Sequence, residues 1–516
     1  MDVSIPWQTL ALATALLTLL TTLYLLRIRY SPHLHTIPGP FFSSILPLDR
    51  LRTVASGAAM SHHLSLHQQY GPLVRIGPHH ISFSDASLIP LIYGISTKFW
   101  KSDWYRLFDI KTPGGPASTI FSERSEDVHR VSKRPIAGAY SMATLRELEP
   151  MCDDCSAIFM RKMEGFAVGG GAFDLGAWVH WYAFDVITSI TFSNRLGFME
   201  QETDVQGIIS AIEGRLFYNS IVGQTPWLHD YLFGNSFVSW LTSFIPAVKA
   251  LNSSRFIVEF AAQNLRRYQN KEFNTVELRD MLDRFKRFKD GEVVMSDDQL
   301  LTHAVSNIFA GADTTAISLR AIFYYLCRTP AAYKKLIAEI DEADAKGELS
   351  DPVTFTESQN LKYFQACIKE ALRMHPAVGL LLERLVPAGG AQITPNLFLP
   401  GGIIIGMNPW VAARDPEVYG HDVEIFRPER WLERDEKQLR LMERNFLAFG
   451  AGARTCLGKN ISLLEMGKLV PLVLRRFEFE FVGVDGRGKE WELWDYWFVR
   501  QTGVVCKVRR RAKERL

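Results

Sequence analysis

One short segment constrains this 516-residue chain more than any other: a glycine-rich loop that ends in a cysteine. Its sequence is Phe449-Gly450-Ala451-Gly452-Ala453-Arg454-Thr455-Cys456-Leu457-Gly458. An apolar run with helical spacing follows and extends to Leu474. A lone cysteine is ordinarily a buried free thiol in a turn. A chance match of Phe, two Gly, Arg and Cys at these offsets would occur at a rate on the order of one in ten thousand, so the loop predicts a functional thiolate.

The residues of this loop suit the binding of an iron porphyrin. A cysteine thiolate ligates haem iron and pushes electron density towards bound oxygen, so Cys456 is the candidate axial ligand. Arg454 is expected to reach a haem propionate through charge-assisted hydrogen bonds, and Phe449 to cover the sulfur. The glycines are expected to let the backbone lie against the flat macrocycle without Cβ clashes. They are Gly450, Gly452 and Gly458.

With these residues in place, the sequence resembles the cytochrome P-450 family, whose haem-binding signature has the form F-x-x-G-x-R-x-C-x-G. Every fixed position of that signature occurs between Phe449 and Gly458. The resemblance extends from the proline segment at Ile37-Pro38-Gly39-Pro40 to Arg509. It implies haem b (iron protoporphyrin IX) as cofactor and the cytochrome P-450 fold. Stretches such as Trp181 to Phe198 look most like membrane-bound filamentous-fungal members, which often act in secondary metabolism.

A carboxylate and a guanidinium lie three residues apart at Glu370 and Arg373, so on a helix they share one face. Such pairs are usually solvated surface contacts of little energetic value. In the resembled family, however, an E-x-x-R helix is locked by an arginine from a downstream loop. The segment Phe426-Arg427-Pro428-Glu429-Arg430-Trp431 supplies that arginine. The resemblance thus implies a structural triad of Glu370, Arg373 and Arg430 that holds the core around the cysteine loop.

The segment Ala310-Gly311-Ala312-Asp313-Thr314-Thr315 lies inside a long apolar helix. A glycine residue and side chains with hydroxyl groups both lower the stability of a helix at such a position. One reading is a threonine that bonds back to a helix carbonyl. The other is a locally loosened helix with a notch for dioxygen, where Asp313 and Thr314 relay protons. The segment closely resembles the family's oxygen-activation motif, which implies the second, catalytic reading.

Basic residues in two places are candidates for contact with the haem propionates. His129 and Lys133 lie four residues apart on a short basic helix, where the family often has Trp and Arg. Lysine lacks the bidentate fork of arginine, so the adjacent Arg134 is the alternative donor. Arg384 follows Glu383 in a short strand and matches a strand arginine that contacts a propionate in the family.

Hydrophobic periodicity predicts a mainly helical fold with a smaller β portion. Long helices are expected over Leu300 to Cys327, Ala331 to Lys346 and Phe364 to Met374. Leu73 to Phe83 predicts two short strands broken by a Gly-Pro turn. Further short strands are expected near Leu381 to Val386, Gln392 to Pro400, Ile403 to Met407, Glu478 to Val482 and Gly503 to Val508.

The N-terminus carries no charge from Val3 to Leu26 and, as a helix, is long enough to cross a bilayer. The alternative is a cleaved secretory signal, but no basic segment precedes the apolar run. Arg27 and Arg29 follow directly, so the positive-inside rule predicts a single-pass membrane protein with a cytosolic catalytic domain. The resemblance implies that this membrane is that of the endoplasmic reticulum. We therefore expect an anchor over residues 1–30 and a catalytic domain over residues 31–516, of which 31–48 form a proline-rich hinge.

Charge and cysteine content exclude other classes of protein. The net charge is +2 and the basic residues are dispersed, so nucleic acid is not an expected partner. The six cysteines show no disulfide-framework spacing, which suits a reducing compartment. Cys152 and Cys155 are the only close pair, and no further ligands at zinc-site spacing lie nearby in the sequence.

The resemblance implies a haem-dependent monooxygenase that inserts one atom of dioxygen into a small molecule by hydroxylation, epoxidation or a related oxidation. No flavin or nicotinamide domain is expected after Cys456, so electrons are expected from a separate NADPH-dependent reductase, with a cytochrome b-type protein as a second candidate donor. By family alignment, five segments are expected to contact the substrate. They are Tyr105 to Ile120, Leu216 to Trp240, the helix face near Phe309, Val378 to Leu382 and Tyr496 to Gln501. Their apolar and aromatic composition favours a lipophilic substrate.

Four alternatives stay open at this point. Two of them lie within the family. One is an isomerase or dehydratase that does not use oxygen, and the pair Asp313 and Thr314 argues against it. The other is a sterol demethylase, which the sterol content of a deletion strain would reveal. Outside it, they are a haem-binding sensor without turnover and a membrane-anchored scaffold without cofactor. The scaffold hypothesis predicts a colourless protein.

Overall fold

A computed structural model describes residues 7–112, 115–232, 235, 240, 254–270, 280–286 and 295–512 of the chain. Helices make up most of this part, as predicted. The helices are α1 (Trp7–Arg29), α2 (Leu48–Ala55), α3 (Ala59–Tyr70), α4 (Ile89–Tyr93), α5 (Glu126–Lys133), α6 (Met142–Arg146), α7 (Glu149–Gly169), α8 (Leu175–Phe192), α9 (Phe198–Gln201), α10 (Ile208–Val222), α11 (His229–Leu232), α12 (Ser254–Gln269), α13 (Met281–Lys286), α14 (Asp297–Arg328), α15 (Pro330–Ala345), α16 (Phe355–Asn360), α17 (Lys362–Met374), α18 (Pro409–Ala412), α19 (Pro416–Tyr419), α20 (Glu436–Asn445) and α21 (Lys459–Leu474).

The strands are short and form several small sheets. They are β1 (Leu73–Gly77), β2 (His80–Phe83), β3 (Trp100–Lys101), β4 (Ile110–Thr112), β5 (Gly115–Ala117), β6 (Phe173–Asp174), β7 (Arg384–Leu385), β8 (Ala391–Thr394), β9 (Leu397–Leu399), β10 (Ile404–Gly406), β11 (Phe477–Phe481), β12 (Glu492–Tyr496), β13 (Phe498–Thr502) and β14 (Val505–Arg510). The largest sheet has the order β1-β2-β10-β7-β3, and its β2–β10 pair is parallel. A second sheet has the order β11-β14-β6.

Helix α14 is the central element of the fold. Its start is fixed by a capping box, in which Ser296 Oγ accepts from the backbone of Gln299 and the Gln299 side chain accepts from the backbone of Ser296. Acidic residues in its first turn and Arg328 in its last turn complement the helix dipole. It packs along α8 and contacts α12, α17 and α21. Residues from the middle of α14 therefore face the interior of the domain.

Within the N-terminal helix α1, an 18-residue stretch has a mean hydropathy of 1.9, and the helix has no buried residue. Among the described residues it is the one helix long and apolar enough to cross a membrane. This agrees with the predicted transmembrane helix, whose first residues, 3–6, lie outside the described part of the chain. The helix also extends to Arg29, past the end of the uncharged run.

The segment predicted as a hinge is docked against the catalytic domain in its first half. Leu34 and Ile37 are buried in a cluster with residues of β2. The backbone N–H of Arg75 donates to Pro38 O at 2.7 Å. The Arg75 guanidinium donates to the carbonyls of Arg29 and Ile28 at 2.9 and 2.8 Å. These contacts satisfy the last carbonyls of α1, so they fix the direction in which the helix leaves the domain.

Candidate functional site

A cavity of about 1270 Å³ lies between α14, α10 and the cysteine loop. Its lining includes Cys456 and Phe449 from the loop and Thr314 from α14. All five segments predicted to contact a substrate contribute to the wall, although residues 113–114, 233–234 and 236–239 of the first two lie outside the described part of the chain. The structure thus brings the cysteine loop, the oxygen motif and the predicted substrate segments to one interior space.

The cysteine loop is held in a compact turn. The backbone N–H of Cys456 donates to Phe449 O at 2.8 Å and closes the loop. Gly450 and Gly452 have φ values of +70° and +60°, a region that favours glycine. A Cβ at Gly452 would lie 1.8 Å from Tyr93 O, so no other residue fits there without movement. A Cβ at Gly458 would meet no atom within 4 Å, because this residue borders the cavity.

The Cys456 thiol is open towards the cavity and enclosed by protein on its other sides. Burial raises its pKa, while hydrogen bonds from the backbone of Gly458 and Lys459 and the positive charges of Lys459 and Lys133 act in the opposite direction. The N–H groups belong to the start of α21, where the helix dipole also favours an anion. The sulfur is therefore placed where a cation or metal in the cavity would hold it as a thiolate.

One end of the cavity carries several basic side chains, namely Lys101, His129, Lys133, Arg384 and Arg454. Arg454 Nε pairs with Glu126 at 2.9 Å, and Lys133 Nζ donates to Ala453 O at 3.0 Å. Arg134, the alternative to Lys133, is exposed and does not line the cavity.

Burial and the positive charges of neighbouring side chains lower the pKa values of Lys101, His129, Lys133 and Arg454. Burial, followed by the charges of Arg454 and Lys101, lowers the pKa of His129 to about 3. Burial and Arg384 lower the pKa of Lys101 well below its ordinary value. Arg384 Nε is buried and has no hydrogen-bond partner among the described residues. Arg384 therefore has a donor that the surrounding protein does not satisfy, and a ligand with anionic groups would relieve the repulsion among these basic side chains.

The two candidate catalytic residues of α14 face different ways. Thr314 lines the cavity, and its Oγ1 donates to Ala310 O at 2.8 Å. Asp313 is buried on the α8 side, where its Oδ1 lies 2.6 Å from His180 Nε2. The helix runs unbroken through this motif, so the predicted loosening is not observed. Gly311 instead allows close packing, since a Cβ there would lie 2.8 Å from the Ile187 side chain.

Glu370, Arg373 and Arg430 form a fully buried ion-pair cluster. Arg373 donates to both carboxylate oxygens of Glu370 at 2.9 and 2.8 Å, and Arg430 Nε donates to Oε1 at 3.1 Å. Trp431 Nε1 and the backbone of Arg427 also donate to this carboxylate, at 2.9 and 3.0 Å. Burial would raise the pKa of Glu370, but the Arg373 hydrogen bond and the two arginine charges hold it below its ordinary value. The cluster ties α17 to the loop that precedes the cysteine segment.

Several residues of the site carry no signal in the sequence. Lys101, Ile187, Ile212, Arg215 and Asn307 line the cavity, and His180 bonds Asp313 from outside it. They reach the site through tertiary packing of separate elements. Ile212 and Arg215 are the exceptions. They could have been found by extending the predicted substrate segment that begins at Leu216 backward along the same face of its helix.

Comparison with known proteins agrees with this geometry. The sequence profile of the cytochrome P-450 family matches residues 32–498. The chain belongs to the cytochrome P-450 family. Among curated relatives, cytochrome P-450 monooxygenase cicH of Emericella nidulans is 37% identical over 495 residues, which is 95% of this chain and 96% of the relative. A cytochrome P-450 monooxygenase of Aspergillus terreus is 40% identical over 446 residues, covering 86% and 89%. The monooxygenase gsfF of Penicillium aethiopicum is 36% identical over 486 residues, covering 92% and 93%.

Family membership confirms the predicted fold class, and together with the names of these relatives it supports the predicted haem monooxygenase. The cavity of this P-450 fits a haem. Cys456 offers a soft sulfur ligand at one wall, and the open space beside Gly458 leaves room for a flat macrocycle against the loop. The unpaired Arg384 Nε and the cluster of basic side chains fit two propionates. Cys456 would hold the iron, and Arg384, Arg454, His129 and Lys133 would hold the propionates.

Proposed function

We propose that this P-450 uses haem b to insert one atom of dioxygen into a lipophilic small molecule in a fungal secondary-metabolite pathway. The observation that carries the proposal is a continuous cavity that joins Cys456 to an apolar space lined by residues such as Ile212, Leu216 and Phe309. The filamentous-fungal sources of the relatives support the pathway. When bound, a thiolate-ligated haem supplies the activation of dioxygen.

The chain's own residues divide this work. Cys456 binds the metal through its sulfur, and the amides of Gly458 and Lys459 favour the thiolate form. Phe449 lies in the cavity wall beside the sulfur and excludes water from it. Arg384 and Arg454 orient the haem through its propionates, with Lys133 rather than Arg134 as the helix donor, because only Lys133 borders the cavity.

Protons reach the site through α14. Arg320 Nη2 lies 3.1 Å from His180 Nδ1, and a guanidinium can only donate, so Nδ1 accepts. His180 Nε2 therefore carries the proton and donates it in the hydrogen bond to Asp313 Oδ1. Burial lowers the pKa of His180, which agrees with a neutral ring. Because Asp313 faces His180 and not the cavity, it joins the relay only when its side chain rotates towards the cavity and takes up a proton from solvent. It then protonates Thr314 Oγ1 as that hydroxyl gives its own proton to the site.

The N-terminal helix anchors the enzyme in the endoplasmic reticulum membrane, with residues 1–30 as the anchor and residues 31–516 on the cytosolic side. Arg27 and Arg29 at the end of α1 support this orientation. An NADPH-dependent reductase, or a cytochrome b-type protein, delivers electrons at the surface near the exposed Lys459, which directly follows the cysteine loop. The substrate enters the apolar cavity from the membrane.

The test uses an extract of a strain that lacks this chain, because such an extract contains the accumulated substrate. Microsomes with the chain, the reductase and NADPH are expected to convert one compound of the extract to a product that carries one oxygen-18 atom from labelled dioxygen and none from labelled water. Microsomes without the reductase serve as control and are expected to give no product. Label from water, or conversion without reductase and oxygen, would contradict the proposal and favour an isomerase or dehydratase. An altered sterol content in the deletion strain would instead favour a sterol demethylase.

A further inference from the structure

The first half of α14 presents a serine to the cavity whose hydroxyl the protein does not bond. The structure describes every serine and threonine of this helix, and all but Ser306 have a side-chain hydrogen bond. The bonds are Thr302 Oγ1 to Asp298 O at 2.7 Å, Thr314 Oγ1 to Ala310 O at 2.8 Å, Thr315 Oγ1 with Ser462 Oγ at 2.8 Å, and Ser318 Oγ to Thr314 O at 2.8 Å. Ser306 is half-buried, lines the cavity and has no side-chain hydrogen bond to a described residue. Its hydroxyl is therefore available to a ligand in the cavity.

A histidine lies one helical turn before this serine on the same face of α14. His303 also lines the cavity, and neither of its ring nitrogens has a hydrogen-bond partner in the described part of the chain. The residue keeps 9% of its surface exposed, and its nitrogens are not among the fully enclosed unbonded atoms. They can therefore be reached from the cavity. The ring packs edge-on against Phe285, with the ring centroids 6.0 Å apart, so the imidazole is held in position.

The surroundings of His303 carry no charge that would suit an ionic ligand. Burial lowers the pKa of His303 to about 4, and no charged side chain of the described residues contributes to this shift. The ring is therefore neutral at neutral pH, with one N–H donor and one bare nitrogen that accepts. An anionic group placed here would be buried without a counter-charge, which costs much free energy. The site thus favours a neutral polar group.

A hydroxyl group is the neutral group that fits both side chains. It donates to a bare imidazole nitrogen or accepts from an imidazole N–H, and the Ser306 hydroxyl takes the opposite role. A hydroxyl therefore satisfies either tautomer of His303. A ketone or an ether only accepts, so it cannot bond the bare nitrogen.

The pair lies apart from the reacting end of the cavity. Ser306 precedes Thr314 by about two helical turns, which is about 12 Å of helix rise. His303 precedes it by about three turns, or about 16 Å. A substrate bound at its hydroxyl by this pair would place a different part of the molecule beside Thr314.

We propose that His303 and Ser306 are specificity-determining residues that bind a neutral hydroxyl group, phenolic or alcoholic, of an otherwise lipophilic substrate. The inference rests on the proposed monooxygenase function, since it concerns the substrate end of the same cavity. It adds the polar group that the substrate carries before oxidation, and it places that group away from the carbon that is oxidised.

The test compares matched probe ligands on the full-length holoenzyme by calorimetry. The probe 4-phenylphenol carries the hydroxyl, 4-methoxybiphenyl and 4-acetylbiphenyl can only accept, and biphenyl-4-carboxylate is an anion. The wild-type protein is expected to bind 4-phenylphenol about tenfold more tightly than each of the other three, because only the phenol can both donate and accept. The methyl ether is the more lipophilic of the first two, so burial of apolar surface alone would give the opposite order.

Variants assign the preference to the two residues. In Ser306→Ala the preference for phenol over ether is expected to fall to about threefold, because one of two hydrogen bonds is lost. In the double variant with His303→Leu it is expected to disappear. Ser318→Ala is the matched control, because Ser318 lies on the same helix and lines the cavity but its hydroxyl already bonds Thr314 O at 2.8 Å. This control is expected to keep the wild-type preference. If the double variant does not fold, Ser306→Ala and the wild-type comparison still test the proposal.

The natural substrate gives a second measurement. The compound that acquires oxygen-18 from dioxygen in the extract is expected to carry a free hydroxyl group. Methylation of the extract with iodomethane is expected to stop its conversion, because the hydroxyl is the group that the pair binds. The wild-type enzyme with the untreated extract serves as control.

Three results would overturn the proposal: binding of the ether, the ketone or the carboxylate by the wild type as tightly as the phenol, a phenol preference that survives undiminished in Ser306→Ala, or a natural substrate without a free hydroxyl group. Failure of the proposed function is distinguishable from all three. It would appear as a wild-type protein without the thiolate-haem spectrum, or as product without label from dioxygen, whereas calorimetry reports the phenol preference independently of both.

Discussion

Replacing Glu370 with alanine is expected to lower the free energy of unfolding by about 3–5 kcal/mol and to abolish stable haem incorporation. The substitution removes the shared acceptor of Arg373 and Arg430, whose side chains are both 0% exposed. Arg373 would then be buried without a carboxylate, and Arg430 would keep only its pair with Asp422, at 2.6 Å. Trp431 Nε1 would lose its acceptor. Since Arg430 and Trp431 precede the cysteine loop in the chain, the loop would lose the buried contacts that hold the segment before it in place.

The measurement is chemical denaturation together with the ratio of haem to protein. Glu443→Ala is the matched control. Glu443 pairs at 2.9 Å with Lys369, which precedes Glu370 on α17, but both side chains of this pair are about half exposed. An exposed pair contributes at most about 1 kcal/mol, so this variant is expected to keep its haem and nearly all of its stability. A Glu370→Ala protein with normal haem content and stability would remove the triad from the account.

Replacing Thr314 with alanine is expected to leave the haem content unchanged and to raise the peroxide released per NADPH consumed by about tenfold, since a positioned proton donor typically contributes about a hundredfold or more. The Thr314 hydroxyl is the group of the oxygen motif that lines the cavity. Its present bond to Ala310 O is a local helix contact whose loss costs little. The effect is therefore predicted on coupling and not on folding.

Thr302→Ala provides the control for this prediction. Thr302 lies on the same helix and makes the same kind of bond, to Asp298 O at 2.7 Å, but it does not line the cavity. Its loss is expected to leave coupling unchanged, and Thr314→Ser is expected to restore coupling because the hydroxyl returns. Unchanged peroxide release in Thr314→Ala would show that protons reach the site by another group.

The parts of the site that the sequence predicts are those whose chemistry is local. The cysteine loop carries its ligand, its glycines and its arginine within ten consecutive positions, and Glu370 and Arg373 lie one helical turn apart. The position of Asp313 on α14 was also predictable, but its contact with His180 was not. His180 is on α8, and nothing in its own segment indicates a carboxylate partner.

The fold shows the same division. The three predicted long helices correspond to α14, α15 and α17, because a sustained apolar period of 3.6 residues is a strong signal. The hairpin of β12 and β13 was missed. Its turn is at Trp497, a non-glycine residue with a φ of +76°, so the usual Gly or Asn turn signal is absent. Its conformation follows from packing of the Trp497 ring against Trp104 at 4.5 Å, a contact distant in sequence.

The most direct test of the central assignment is the absorption spectrum of membranes after reduction and exposure to carbon monoxide, with wild-type protein beside Cys456→Ser. The sulfur of Cys456 faces the cavity, so wild-type membranes are expected to show the strongly red-shifted Soret band that a thiolate-ligated haem gives. The serine variant, expressed to the same level, is expected to lack it. A red-shifted band in both proteins, or in neither despite good expression and added haem, would contradict the assignment of Cys456 as the haem ligand.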